Sequence, residues 1–251
     1  MTKTRKPIAH RGRKHPGPGN TLAEFQELLA FDPEAEAETD VRFTWKKRKP
    51  VLHDTLLEAA TNGEGWANLL GLDELADLRV KHGGQVTEHK VPELEDVVRL
   101  FNGHGVIHLE LKYGPGDPPG LLPAVLEVLE RFPAQQVELS SFYHPALLRV
   151  PSRIKIGVLT NTMLLNTVGY LRDFLVDGRT PDTVAWHPDI NNIYWDPEGP
   201  DLVAAVQAQG HEVRAYTVNP GKMFDWTFEH GIRPISDFYA EAVDYLARKS
   251  A

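Results

Sequence analysis

The chain has no cysteine. That excludes disulfides, thiolate nucleophiles, iron–sulfur clusters and cysteine-bound zinc. It also lacks an excess of positive charge: 27 lysines and arginines face 35 aspartates and glutamates, for a net charge of −8. Such a surface repels polyanions at long range, which argues against bulk nucleic-acid binding, and an anionic substrate would need a local positive site. No apolar run approaches the ~18 residues of a membrane span. The start, residues 1–6, is basic, but the apolar stretch that follows is only Pro7-Ile8-Ala9. That is too short for a signal-peptide core, so the expected compartment is the cytoplasm. There is no repeat of solenoid period and no low-complexity segment.

What is present is an ordinary soluble balance, 41% hydrophobic and 25% charged over 251 residues. This suits one large domain. Short β-rich runs alternate with helical ones. Strands are expected at 7–12, 36–44, 106–112, 137–142, 154–160, 183–189, 213–219 and 233–238. Helices are expected at 21–31, 72–80, 92–101, 121–132, 145–150, 168–176, 201–209, 222–230 and 240–249. Thr21 with Glu24 reads as a helix start, and Gly210 and Gly231 read as helix stops. Eight strand–helix units in a chain of this length predict an α/β protein, a TIM (β/α)8 barrel. An open doubly wound sheet is the rival arrangement. Residues 55–105, which include two of the expected helices, exceed one ordinary crossover and read as a small insertion after the second strand, within a single domain spanning 1–251.

In a barrel the chemistry sits at the C-terminal ends of strands. The polar residues there are His10-Arg11-Gly12, Glu38 and Asp40, His53-Asp54, Glu110 and Lys112, Ser140-Ser141, His187, Thr217 and Asn219, and Asp237. Glu38 and Asp40 are two apart on one strand and so share a face, and Glu110 and Lys112 repeat that spacing. Three converging carboxylates call for a cation, and hard oxygen donors suit Mg²⁺ or Ca²⁺. The same parity places Glu36 and His108 one layer deeper, as structural residues. His10 and His53 lie beside the acids and can serve as base and acid across one bond cleavage. Arg11 and Lys112 can pair with phosphate oxygens. The run Lys46-Lys47-Arg48-Lys49 reads as a solvated basic turn. His187 with Trp186 lines either a substrate mouth or a packed strand.

These residues resemble the glycerophosphodiester phosphodiesterase family. The resemblance rests on Ile8-Ala9-His10-Arg11-Gly12, Asn20-Thr21-Leu22, Glu38-Thr39-Asp40-Val41, Pro50-Val51-Leu52-His53-Asp54 and Thr61-Asn62-Gly63. It continues through Leu109-Glu110-Leu111-Lys112, Ser140-Ser141-Phe142, Thr217-Val218-Asn219 and Ser236-Asp237. Each fragment alone is weak; the ordered set, running from residue 8 to about 238, is specific. The resemblance implies a TIM barrel that hydrolyses glycerophosphodiesters to sn-glycerol 3-phosphate and an alcohol, in glycerol and lipid metabolism. It implies a divalent metal on Glu38, Asp40 and Glu110, His10 and His53 as the acid/base pair, and Arg11 as a phosphate clamp, with Lys112 and Asn219 as further phosphate-binding candidates. The expected partner is a small glycerophosphodiester, with no nucleic acid and no integral membrane segment. Two other activities fit the same residues: a phospholipase D-like lyase forming a cyclic phosphate, and a non-catalytic phosphodiester-binding barrel. One departure stands out, because the family usually has Pro-Glu-Asn-Thr where this chain has Pro18-Gly19-Asn20-Thr21.

Overall fold

The structure is a computed structural model and describes residues 6–164 and 166–249. Most of the basic start, residues 1–5, lies outside the described residues. In chain order the elements are β1 (Ile8–Ala9), α1 (Leu22–Phe31), β2 (Glu36–Val41), α2 (Leu72–Asp77), β3 (Arg79–His82), β4 (Gln85–Lys90), α3 (Leu94–Phe101), β5 (Ile107–Leu111) and α4 (Leu121–Glu130). They continue with β6 (Val137–Ser141), α5 (His144–Leu147), β7 (Lys155–Thr160), α6 (Thr167–Arg172), β8 (Val184–Pro188), α7 (Ile190–Tyr194), α8 (Gly199–Ala208), β9 (Arg214–Ala215), α9 (Lys222–Glu229), β10 (Arg233–Ser236) and α10 (Tyr239–Lys249).

The chain divides into two compact units, residues 11–137 and residues 1–10 with 138–251. In the first unit β2 and β5 pair in parallel with Ala37 opposite Ile107 and Asp40 opposite Glu110. Every residue of β5 is buried, as expected for a parallel strand covered on both faces. Helix α1 begins where Thr21 Oγ1 accepts the Glu24 N–H at 3.2 Å, and it buries Phe25, Leu28 and Leu29. Helix α3 buries Leu94, Val97, Val98 and Phe101, one apolar stripe at helical spacing.

Leu57, Ala67, Leu70, Leu75, Leu78 and Val80, with Leu52 and Val91, form a small core of their own. The helix expected at 72–80 stops at Asp77, and Val80 instead belongs to an antiparallel hairpin, β3–β4. Gly83-Gly84 turns that hairpin, both residues at positive φ. In the second unit β1, β10 and β9 pair in parallel, as do β6, β7 and β8, and a bridge from Trp186 to Val213 links β8 toward β9. The first strand is shorter than expected. It ends at Ala9, and His10–Gly12 form a 3₁₀ turn with Arg11 and Gly12 at φ +54° and +72°. A Cβ on Gly12 would lie 2.2 Å from the Phe25 ring, so only glycine fits both the turn and the packing. Among the described residues no helix is long and apolar enough to cross a membrane.

Candidate active site

The centre of the first unit is a cluster of three buried carboxylates. Glu38 and Asp40 project from one face of β2, and Glu110 projects from β5 directly opposite Asp40. One carboxylate oxygen from each lies within 4.8 Å of the others. Lys112 Nζ stands 3.2 Å from Asp40 Oδ1 and 2.6 Å from Glu110 Oε1. Arg11 Nε is 3.4 Å from Asp40 Oδ2, and the Arg11 backbone N–H donates to Glu38 Oε2 at 3.1 Å. The left-handed backbone at Arg11 thus turns both its amide and its side chain onto the acids.

Asn20 braces the same group. Its Nδ2 donates to Asp40 Oδ2 at 2.8 Å, its Oδ1 accepts from Thr39 Oγ1 at 2.8 Å, and its backbone N–H closes the 11–20 loop onto Arg11 O. Gly19 has φ +67°, and a Cβ there would fall 2.9 Å from Arg11 Cβ and 2.8 Å from Arg13 Nε. The loop is therefore fitted to glycine at the position where the family usually carries glutamate.

Burial, with Asp40 and Glu110 alongside, pushes the Glu38 carboxyl well above the usual carboxylate range. Burial alone would also raise Asp40, but Lys112 and Arg11, with His53 and the Asn20 amide, outweigh it and hold Asp40 below that range. For Glu110 burial outweighs the attraction of Lys112 and the group is raised. Burial works against charge on Lys112, yet Asp40 and Glu110 prevail and raise it. Three carboxylates thus face two fixed cations. Buried oxygen donors at this spacing fit a hard divalent cation. The residues that would hold it are Glu38, Asp40 and Glu110, the three expected from strand parity.

His53 lies on an extended segment after β2, half-exposed, with Nδ1 3.0 Å from Asp54 Oδ1. That contact holds the Asp54 carboxyl below its usual range. In the second unit His10 has a matching arrangement, with Nδ1 2.7 Å from Asp237 Oδ1. Asn219 Nδ2 donates to the other Asp237 oxygen at 3.3 Å, while Asn219 Oδ1 accepts the Asp237 N–H at 3.0 Å. The amide expected to bind phosphate is therefore also the brace of Asp237. Each candidate histidine has a carboxylate on Nδ1, which orients the ring.

Of the remaining candidates, Glu36 and His108 pair with each other at 2.7 Å, as expected of structural residues. Trp186 and His187 are packed inside β8, with the His187 ring filling the space above Gly157. Sequence reasoning missed the bracing roles of Asn20 and Asp237. Asn20 carried a signal in its position just before the helix start at Thr21. Asp237 stands 227 residues from His10, and no spacing rule reaches that far.

Residues 10–238 match the model of the glycerophosphoryl diester phosphodiesterase family. A glycerophosphodiester phosphodiesterase of Bacillus altitudinis is 30% identical over 248 residues, covering 94% of this chain and 96% of the relative. One from Caldanaerobacter subterraneus is 26% identical over 249 residues, covering 96% and 97%. Among solved structures, an Oleispira antarctica phosphodiesterase in complex with the product sn-glycerol-3-phosphate is 23% identical, with a TM-score of 0.82 over 96% of this chain and 97% of that one. That likeness shows the fold, the α/β TIM barrel expected from the alternation of strands and helices. The chain therefore belongs to the glycerophosphoryl diester phosphodiesterase family and is a phosphoric diester hydrolase.

Proposed function

We propose that this enzyme hydrolyses small glycerophosphodiesters to sn-glycerol 3-phosphate and an alcohol, with Glu38, Asp40 and Glu110 holding Mg²⁺ or Ca²⁺ and with His10 and His53 as the acid/base pair. The observation that carries this reading is the group of three buried carboxylates within 4.8 Å, bordered by Arg11 and Lys112. The domain is read as one barrel over 1–251 with an insertion at about 55–105.

A bound divalent cation supplies Lewis-acid polarisation of a phosphoryl oxygen and compensates the charge built there. The chain's own residues do the rest. Arg11 and Lys112 pair with nonbridging phosphate oxygens as negative charge accumulates, the larger share of such catalysis. One histidine accepts a proton from the attacker, water or the substrate's own glycerol 2-hydroxyl, as the new P–O bond forms; with the 2-hydroxyl, water then opens the cyclic phosphate to sn-glycerol 3-phosphate. The other gives its proton to the leaving alkoxide as the old P–O bond breaks, so that a neutral alcohol departs. Asp54 and Asp237 fix the two rings and stabilise each imidazolium. Asn219 enters as a substrate-side residue that also braces Asp237.

The test is turnover across glycerophosphodiesters of choline, ethanolamine, glycerol and inositol, after EDTA treatment and after return of Mg²⁺ or Ca²⁺. The expected result is release of sn-glycerol 3-phosphate, lost with EDTA and restored by metal. Absence of turnover at every metal concentration would overturn the reading. A cyclic phosphate as the end product would reassign the chain as a lyase.

A further inference from the structure

His53 is carried by a segment that forms no strand of its own. Its start is tied by the Arg42 backbone N–H, which donates to Pro50 O at 3.1 Å, and by Val51 N–H, which donates to Pro92 O at 2.9 Å. Its end is held by a side chain. Arg42 Nε and Nη2 both donate to the carbonyl oxygen of His53, at 3.0 and 2.7 Å, and Nη2 also donates to Thr55 Oγ1 at 3.0 Å. One residue therefore clips both ends of the segment, with main chain at Pro50 and guanidinium at His53.

The remaining arm of the guanidinium, Nη1, meets Asp117 Oδ2 at 3.3 Å. Asp117 in turn accepts the Gly114 N–H at 2.7 Å and Asn68 Nδ2 at 3.1 Å. Gly114 opens the loop that follows Lys112, and Asn68 belongs to the insertion. The Arg42 and Asp117 side chains are 6% and 7% exposed. Burying such a pair costs desolvation energy that its attraction only partly returns, so stability alone is a weak reason for it. What a planar fork provides is direction: several donors in fixed geometry fix a carbonyl in angle as well as distance, which an ammonium cannot do.

We propose that Arg42 is a positioning residue for His53, holding the imidazole in its working place, and that Asp117 couples this hold to the loop after β5 and to the insertion. The ring is then fixed at two points, its own carbonyl through Arg42 and its Nδ1 through Asp54. This rests on the reading of His53 as an acid/base group.

The experiment compares wild type with Arg42→Gln, Arg42→Lys and Asp117→Asn. It measures kcat and KM on the best substrate, metal affinity by calorimetry, and the His53 ring resonance in protein labelled at histidine Cε1, identified by its loss in His53→Gln. A 1 Å misplacement can cost about 10²-fold in rate. Arg42→Gln is expected to lower kcat by about 10–10²-fold with KM and metal affinity little changed, and to shift and broaden the His53 resonance while those of His144 and His211 stay in place. Arg42→Lys, which keeps the charge but loses the fork, is expected to stay well below wild type. Asp117→Asn is the milder variant should Arg42→Gln unfold. An unmoved His53 resonance overturns the proposal, whatever the rate does, and so does a rise in KM with kcat intact. If the wild-type enzyme turns over none of the substrates, the acid/base reading fails on its own, and the resonance still decides whether Arg42 positions the ring.

Discussion

Asp40 and Glu110 face each other across the β2–β5 pair, in register, and Lys112 Nζ reaches an oxygen of each. Two buried acids in direct opposition on neighbouring strands repel, and one lysine does not neutralise them together with Glu38. Under the proposed reading a bound cation would offset this repulsion. Glu110→Gln keeps the shape and removes one charged oxygen donor. The expected loss in Ca²⁺ or Mg²⁺ affinity exceeds the roughly 10–100-fold that follows loss of an outer-shell partner. Calorimetric titration of the EDTA-treated protein checks it. Unchanged affinity would place the cation elsewhere.

The two histidines are held alike, each through Nδ1 by a carboxylate, at 2.7 Å for His10 and 3.0 Å for His53. If they share the proton transfers, His10→Gln and His53→Gln should each lower kcat by ~10²–10⁴-fold. The His53 ring is 39% exposed, so the second variant is expected to fold and to lose only the modest stability of the bond to Asp54. Steady-state rates at saturating metal measure the effect. Full activity in both variants would remove them from the chemistry.

The part of this site that follows from local geometry was legible in the sequence. Glu38 and Asp40 share a face because strand side chains alternate, and Glu110 joins them because its strand is the parallel neighbour. Thr21 marked the start of α1 because a hydroxyl there caps the free N–H of Glu24. The hairpin β3–β4 was concealed because Leu72, Leu75 and Leu78 continue at helical spacing, although only Leu75 and Leu78 serve the small core and Leu72 is exposed. Gly83-Gly84 was its available signal. The grips of Asp237 on His10 and of Asp117 on Arg42 span 227 and 75 residues, and tertiary contacts of that length leave no periodic trace.

In the second unit Arg214 is buried against Glu138, with Glu212 as its second partner at 2.7 Å. Glu138 and Arg214 are both 4% exposed, so removing one leaves the other charged and dry. Glu138→Ala is expected to cost about 3–5 kcal/mol of stability. Glu212→Ala, at a site 23% exposed, should cost less. Urea unfolding of both variants measures the difference. Equal and small effects would mean that water reaches Arg214.

The pH response of Asp54 has a definite sign. Its hydrogen bond to His53 outweighs burial and lowers the folded carboxyl below its unfolded value. A lowered carboxylate contributes stability above the unfolded pKa, near 3.9, and loses it as pH falls through the folded value. Wild type should therefore be more stable than Asp54→Asn at pH 6, and the gap should close progressively below about pH 4. Because Asp54 is 34% exposed, solvent screens the pair and the gap is expected to be modest. Thermal melts of the two proteins between pH 3 and pH 7, at fixed ionic strength, trace it. A gap that widened as pH fell would mean that the carboxyl gains its proton partner in the folded state, and the orientation of His53 by Asp54 would have to be abandoned.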